Sequence, residues 1–371
     1  MNIDLKSTLA KISERCKAAG VNCLVTRDPA SALYLTGVTA HSAGDMVVLI
    51  RPSDVIIFTD NRYTGTVERV TAKHKRLRTI IWDRKNPGDE ILKHVPKGAV
   101  LGFEKNSDLI PQHFALALQK AGRKRGIRVK GVPDILVVVR SIKSPAEIAI
   151  MRKAFAFSDE AFLSTVGYIK PGVTEQEIAQ RLNAHLRRLS GADELSFSTI
   201  VASGQNGAVP HARVTGRKIR KGDMVTVDFG CVVNGYHTDT TRTVFVGKPS
   251  PEKLRIYNIV LAAQTAAEKQ ARPGMTGREI DGIARDIIRE AGYGEWFTHS
   301  TGHGVGLDEH EKPHVTPAAL GKNVVKEGMV FSIEPGIYLP GKYGVRIENT
   351  GVMSITGFLP LSSLPKGPLV L

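Results

Sequence analysis

Two aspartates flank a turn signal in Met224-Val-Thr-Val-Asp-Phe-Gly-Cys-Val-Val-Asn-Gly-Tyr-His-Thr-Asp-Thr-Thr-Arg242. Asn234-Gly235 is a strong two-residue hairpin signal, because both residues tolerate the positive φ that such a turn needs. With those two as the loop, Val233 pairs with Tyr236 and Gly230 faces Asp239. Asp228, Gly230, Asp239 and Thr241 then share one face, with the aspartates diagonally across the hairpin. Asp228 sits in an otherwise apolar, β-branched strand, where an unpaired carboxylate is costly. A second anion beside it adds repulsion of about 4 kcal/mol at about 4 Å for an effective dielectric near 20. A cation must sit there, either the guanidinium of Arg242 in a structural ion pair or a metal.

Three further segments favour the metal. Met329-Val-Phe-Ser-Ile-Glu334-Pro-Gly-Ile-Tyr338 ends an apolar strand on a glutamate, and Tyr343-Gly-Val-Arg346-Ile-Glu348 does the same. Between them and the hairpin lies Thr298-His299-Ser-Thr-Gly-His303-Gly-Val-Gly-Leu-Asp-Glu-His310, where glycines beside His303 permit close approach of backbone and ligand. Four carboxylates and one imidazole form a hard, oxygen-rich donor set, better suited to two carboxylate-bridged divalent ions than to one zinc.

These residues, with Asn206-Gly-Ala-Val-Pro-His211, Thr-Asp239-Thr-Thr-Arg-Thr and Glu334-Pro-Gly-Ile-Tyr, carry a resemblance to the pita-bread metallopeptidase family, which includes methionine aminopeptidase, aminopeptidase P and prolidase. The segment Arg140-Ser-Ile-Lys-Ser-Pro-Ala-Glu147 and the domain before it resemble the proline-specific branch. The resemblance implies Asp228, Asp239, His303, Glu334 and Glu348 as ligands of two divalent ions, manganese ahead of cobalt or zinc, with Glu334 also accepting a proton. It implies that His211 hydrogen-bonds the substrate, that His310 stabilises the carbonyl oxygen, and that Arg346 supports the site. His299 and Tyr338 are implied as substrate-pocket groups. The expected activity is hydrolysis of Xaa-Pro bonds at peptide N-termini, with an Xaa-Pro dipeptidase as the alternative. A third reading is a non-catalytic relative that binds nucleic acid or protein. A homodimer is implied as well.

Two departures from the family pattern bear on substrate preference. Glu309 precedes His310 where an aliphatic residue is common, and His314 follows Pro313 where arginine is frequent. Asn349, beside Glu348, should point to the opposite face and leave the metal site alone.

The whole chain fits this frame. Its 371 residues exceed what one hydrophobic core usually serves, so two domains are expected. No apolar run approaches membrane-spanning length, Met1–Lys11 has no signal-peptide core, and three cysteines are too few for a disulfide frame; a cytoplasmic location without membrane association follows as the expectation. Residues 1–144 hold 25 Lys and Arg against 13 Asp and Glu, a net +12 out of +15 for the chain. No aromatic residues interleave with the basic clusters Lys73–Arg78 and Arg123–Lys130, so they read as a solvated face and not as a nucleic-acid surface. Helical and strand patterns alternate through residues 1–135: a helix over Asp4–Ala19, strands at Val21–Val25, Met46–Ile50, Val55–Phe58, Val100–Phe103 and Arg128–Val129, and a helix over Gln112–Ala121. The patterns give an α/β domain over 1–135, a linker over 136–145 and an α+β domain over 146–371; the resemblance implies that the first is creatinase-like and the second a pita-bread catalytic domain. Helices near 146–166, 175–189, 251–271 and 276–291 alternate there with strand hairpins. Lys-Pro-Gly-Val-Thr174 and Arg-Pro-Gly-Met-Thr276 repeat one local grammar and suggest an internal duplication.

Overall fold

A computed structural model describes residues 4–83, 85–105, 110–191 and 194–371. It divides into two compact units, Met1–Arg140 and Ser141–Leu371. In the first unit the β-branched runs pair into a six-stranded mixed sheet. Its order is Leu77–Ile81, Val55–Thr59, Met46–Ile50, Cys23–Thr26, Val100–Glu104 and Arg128–Val132. Strands Cys23–Thr26, Met46–Ile50 and Val55–Thr59 are buried at every residue, which is why they read as continuous apolar runs. Helices Leu5–Ala18 and Gln112–Arg125 stand where helical spacing predicts them. The short helices Pro29–Thr36, Thr64–Thr71 and Pro87–Leu92 were not anticipated.

The apolar run Ile135–Val139 has strand-like composition, yet Leu136–Ser141 is a helix. The Glu104 carboxylate accepts from the Leu136 amide at 2.5 Å, and Arg140 at the far end donates to Asp28 at 2.8 Å. Tertiary contacts at both ends override the local β preference. Part of the stretch expected as a linker is therefore structured.

The second unit holds two larger antiparallel-rich sheets. One runs Leu369–Val370, Thr240–Phe245, Met224–Phe229, Ile200–Ser203; the other runs Glu311–Val315, Gly302–Gly304, Val330–Ile333, Asn349–Ser354, Gly357–Pro360. Helices Pro145–Val166 and Glu175–Ser190 supply apolar side chains to one core, where Phe162 stacks on Phe229. Helices Pro251–Gln270 and Gly277–Glu290 serve the other, around Ile256, Ile280 and Phe331.

The two halves repeat one another at the residue level. Thr174 and Glu177 form a capping box, as do Thr276 and Glu279, a device worth about 1 kcal/mol per helix. Gly172 and Gly274 share φ near 95° (94° and 95°). Each donates its amide across to a facing carbonyl at 2.9 Å, Ile219 in one half and Val325 in the other. Asp228 and Glu334 fall at matching places, six residues after the positive-φ glycines Gly222 and Gly328. Among the described residues no helix is long and apolar enough to cross a membrane.

Candidate metal centre

The hairpin register follows Asn234-Gly235 as predicted. Both residues take positive φ, 51° and 84°. Val233 pairs with Tyr236, and further along the same register Thr241 lies opposite Asp228. A Cβ at Gly230 would meet the Thr238 carbonyl oxygen at 1.9 Å, so only glycine lets the strands close beside Asp239.

Glu334 and Glu348 arrive from the second half of the fold. The Glu334 amide donates to the Thr301 carbonyl at 2.8 Å, and its Oε1 accepts from Ser332 Oγ at 3.1 Å. Thr301 is itself pinned by the buried Asp281, whose Oδ1 accepts from its amide at 3.1 Å and its hydroxyl at 2.8 Å. Glu348 donates its amide to the Thr241 carbonyl at 3.1 Å and accepts Thr241 Oγ1 on Oε2 at 2.7 Å. One carboxylate oxygen from each of Asp228, Asp239 and Glu348 lies within 4.8 Å of the others. His303 Nε2 stands 3.3 Å from Glu334 Oε1 and 3.5 Å from Asp239 Oδ2. The structure thus brings all five residues of the sequence-derived ligand set to one place.

Their electrostatics show what the set lacks. Burial first, then the neighbouring carboxylates, push Asp239 and Glu348 well above the usual carboxylate range. Asp228 is also raised by burial, although the Arg346 guanidinium opposes the rise. Burial acts upward on Glu334 too, but the His303 hydrogen bond and charge hold it down to about 2. Asp228 Oδ1 and Glu348 Oε1 are buried without a hydrogen-bond partner, a state that costs about 1–3 kcal/mol per group. His303 Nδ1 faces the Gly304 carbonyl at 3.1 Å and so carries its hydrogen there. Its Nε2 lone pair is then left among carboxylates, an arrangement that needs a proton or a metal ion in between. Hard oxygen donors, one imidazole and two orphaned buried oxygens fit divalent ions.

Arg242, the alternative cation from the sequence, turns away from the aspartates. It donates to Asn349 Oδ1 and the Leu364 carbonyl, both at 2.8 Å, and to the Pro365 carbonyl at 3.0 Å. Asn349 thereby faces away from the carboxylates, as alternation predicts. The cation that does reach the site is Arg346, with Nη2 at 2.6 Å from Asp228 Oδ2. Arg346 also donates to Tyr338 Oη at 2.8 Å, Thr241 Oγ1 at 3.1 Å and the Pro210 carbonyl at 3.1 Å. His299 Nδ1 gives its hydrogen to the Ser300 carbonyl at 2.8 Å, so its Nε2 accepts from Tyr338 Oη at 2.8 Å. One relay of fixed polarity therefore runs from Arg346 through Tyr338 to His299. Burial keeps the His299 pKa low and pushes Tyr338 up to about 12, so both stay neutral.

A cleft of about 1010 Å³ opens over the carboxylates, lined by His211, His299, His303, Glu309, His310 and His314 among others. The His310 ring meets His303 edge-on, with centroids 3.9 Å apart. Tyr338 lies beneath this wall at 4 % exposure and is not among the lining residues. Thr241 was placed on the correct face by the hairpin count, but its bond to Glu348 was not foreseen. Asp281 and Ser332 were missed. Asp281 has one sequence signal, a buried position in an amphipathic helix with Arg285 four residues on.

Residues 149–354 match the model of metallopeptidase family M24, and residues 9–142 match that of the creatinase/prolidase N-terminal domain. An Xaa-Pro dipeptidase of Pyrococcus furiosus is 35% identical over 354 residues, 95% of this chain and 97% of that protein. The solved structure of an Xaa-Pro dipeptidase from Bacillus anthracis superposes with a TM-score of 0.89 at 33% identity, covering 99% of this chain and 100% of the other. That of an X-Pro aminopeptidase from Thermotoga maritima gives 0.85 at 33% identity, covering 98% and 99%.

Proposed function

The chain belongs to metallopeptidase family M24, and from that membership we propose that it hydrolyses Xaa-Pro dipeptides, with Asp228, Asp239, His303, Glu334 and Glu348 holding two divalent ions, manganese first. Between the two proline-specific readings, the full-length likeness to proteins named Xaa-Pro dipeptidase favours the dipeptidase over the aminopeptidase placed first from sequence. The metal reading is carried by the buried, unpartnered oxygens of Asp228 and Glu348. Bound divalent ions supply Lewis acidity toward the scissile carbonyl and toward the attacking water.

The chain's own residues do the rest. Arg346 fixes Asp228 through Oδ2 and leaves Oδ1 directed into the site. Thr241 does the same for Glu348, occupying Oε2 and leaving Oε1. His303 holds its hydrogen on Nδ1 and offers Nε2. His211 and His310 line the cleft and donate hydrogen bonds to the carbonyl oxygen as negative charge develops on it. Glu334, ionised at neutral pH, is the carboxylate that takes the proton of the attacking water. The resemblance further implies a homodimer whose first 135 residues restrict substrate length.

The test is hydrolysis of Xaa-Pro dipeptides against Xaa-Pro-Yaa tripeptides, with manganese, cobalt or zinc added to chelated protein. Dipeptides cleaved in preference, and only with metal, are the expected result. Preference for tripeptides restores the aminopeptidase reading, and metal-independent turnover refutes the centre.

A further inference from the structure

Among the residues lining the cleft, Arg213 and Arg346 are the only arginines or lysines. Arg346 is buried and its guanidinium is committed to Asp228, Tyr338, Thr241 and the Pro210 carbonyl. Arg213 is exposed, and among the described residues its guanidinium has no hydrogen-bond or ion-pair partner. Its backbone, by contrast, is anchored. Its carbonyl accepts from Asn206 Nδ2 at 3.1 Å, and that same amide donates to Glu175 at 2.9 Å. The fully buried Glu175 also accepts from the Thr215 amide at 3.1 Å and hydroxyl at 2.6 Å, two residues further on. Ala212 packs inward against Ile200 and Ala202. Its neighbours His211 and Arg213 are both exposed, and both line the cleft. A permanent positive charge thus stands on a fixed base, two residues from a histidine of the catalytic cleft. At position 314 the cleft carries an imidazole, which brings no permanent charge.

Resting on the dipeptidase reading, we propose that Arg213 pairs with the C-terminal carboxylate of the substrate's proline and so selects dipeptides over longer peptides. A dipeptide carries that carboxylate on the residue just past the scissile bond; a longer peptide has a neutral amide there. A guanidinium matches a carboxylate in both charge and planar two-point geometry. The cleft itself offers the carboxylate no other permanent positive charge free to receive it.

The experiment compares metal-loaded parent, Arg213→Met and Arg213→Lys on an Xaa-Pro dipeptide, its C-terminal amide and an Xaa-Pro-Yaa tripeptide. For Arg213→Met, kcat/KM on the dipeptide should fall about 10- to 100-fold, the scale of a charge-assisted hydrogen bond, chiefly through KM. Turnover of the amide should stay within about twofold of the parent, and Arg213→Lys should recover part of the loss. Equal losses on dipeptide and amide, or no loss on either, overturn the assignment of Arg213 while leaving the dipeptidase reading in place. A parent that cleaves the amide or tripeptide but not the dipeptide overturns the dipeptidase reading itself, and this proposal with it.

Discussion

Replacing Asp239 by Asn should have opposite effects on stability with and without metal. The carboxylate oxygens of Asp228, Asp239 and Glu348 lie within 4.8 Å of one another. Two unit charges at that distance repel by about 3.5 kcal/mol for an effective dielectric near 20, so Asp239, facing two, meets a ceiling of about 7 kcal/mol. His303 Nε2 lies 3.5 Å from Asp239, and Glu334 raises its pKa against the effect of burial. At that distance the attraction returns about 5 kcal/mol on the same scale. With all three ionised the balance is repulsive by about 2 kcal/mol, an upper bound because Asp239 and Glu348 are pushed well above the usual carboxylate range. Chelated Asp239→Asn should therefore unfold above the chelated parent, by up to about 4–8 °C. With metal at about a thousandfold over its Kd, the parent gains about 4 kcal/mol by mass action. The variant, offering a neutral amide oxygen, gains less and becomes the less stable of the two. Thermal unfolding of both proteins, in chelator and in excess manganese, reads the crossing directly. Equal destabilisation of the variant under both conditions, or a parent indifferent to chelation, would refute the reasoning.

Three further outcomes are expected. His211→Ala and His310→Ala should each lower kcat by about a hundredfold, the scale of losing an acid–base or oxyanion group, with metal content by elemental analysis unchanged; loss of metal would make them ligands. Burial pushes Glu104 in the first unit up to about 7 from the ordinary glutamate 4.5, so its protonated form stabilises the fold below about pH 4.5 and that contribution is lost as pH rises through 7. Glu104→Gln should therefore gain stability over the parent between pH 4.5 and 8, up to a ceiling of about 3 kcal/mol; a flat difference in urea unfolding across that range contradicts it. The clusters Lys73–Arg78 and Arg123–Lys130 should bind labelled DNA or RNA weakly at about 50 mM salt and lose it by about 200 mM; sub-micromolar binding at the higher salt would give the first unit a second function.

The legible parts of the fold were those set by short-range rules. Asn234-Gly235 fixed a register that stays in phase as far as Asp228, although the ladder lapses between Val232 and Phe229. The capping boxes at Ser144, Thr174 and Thr276 are features of the same kind, since each is satisfied within four residues. What stayed hidden depended on distant partners. Helix Leu136–Ser141 has β-branched composition and is held by Glu104 and Asp28, contacts no local pattern encodes. Strand Leu77–Ile81 is an edge strand that begins in the tail of a basic cluster and has only a short apolar stretch. At the site, charge balance showed that a cation was required near Asp228, and the sequence offered Arg242 or a metal; that Arg346 pairs with Asp228 while Arg242 turns away was not legible. The choice depends on which face each side chain takes in the packed strands.

The positions of the satisfied oxygens carry the strongest argument for a bound ion. Three of the four carboxylates have a dedicated partner on one side only: Arg346 on Asp228, Thr241 on Glu348, Ser332 on Glu334. A purely structural cluster would be expected to close both sides, since each buried unpaired oxygen costs about 1–3 kcal/mol. Here the partners come from outside the ring of carboxylates and leave Asp228 Oδ1 and Glu348 Oε1 unpaired. The repeated local pattern accounts for how such a ring forms. Each half enters a strand through a positive-φ glycine, Gly222 or Gly328, and carries an acid six residues later, so Asp228 and Glu334 reach the site from opposite halves. Repulsion between those acids is then intrinsic to the fold's symmetry. It is relieved by positive charge placed where the two halves meet.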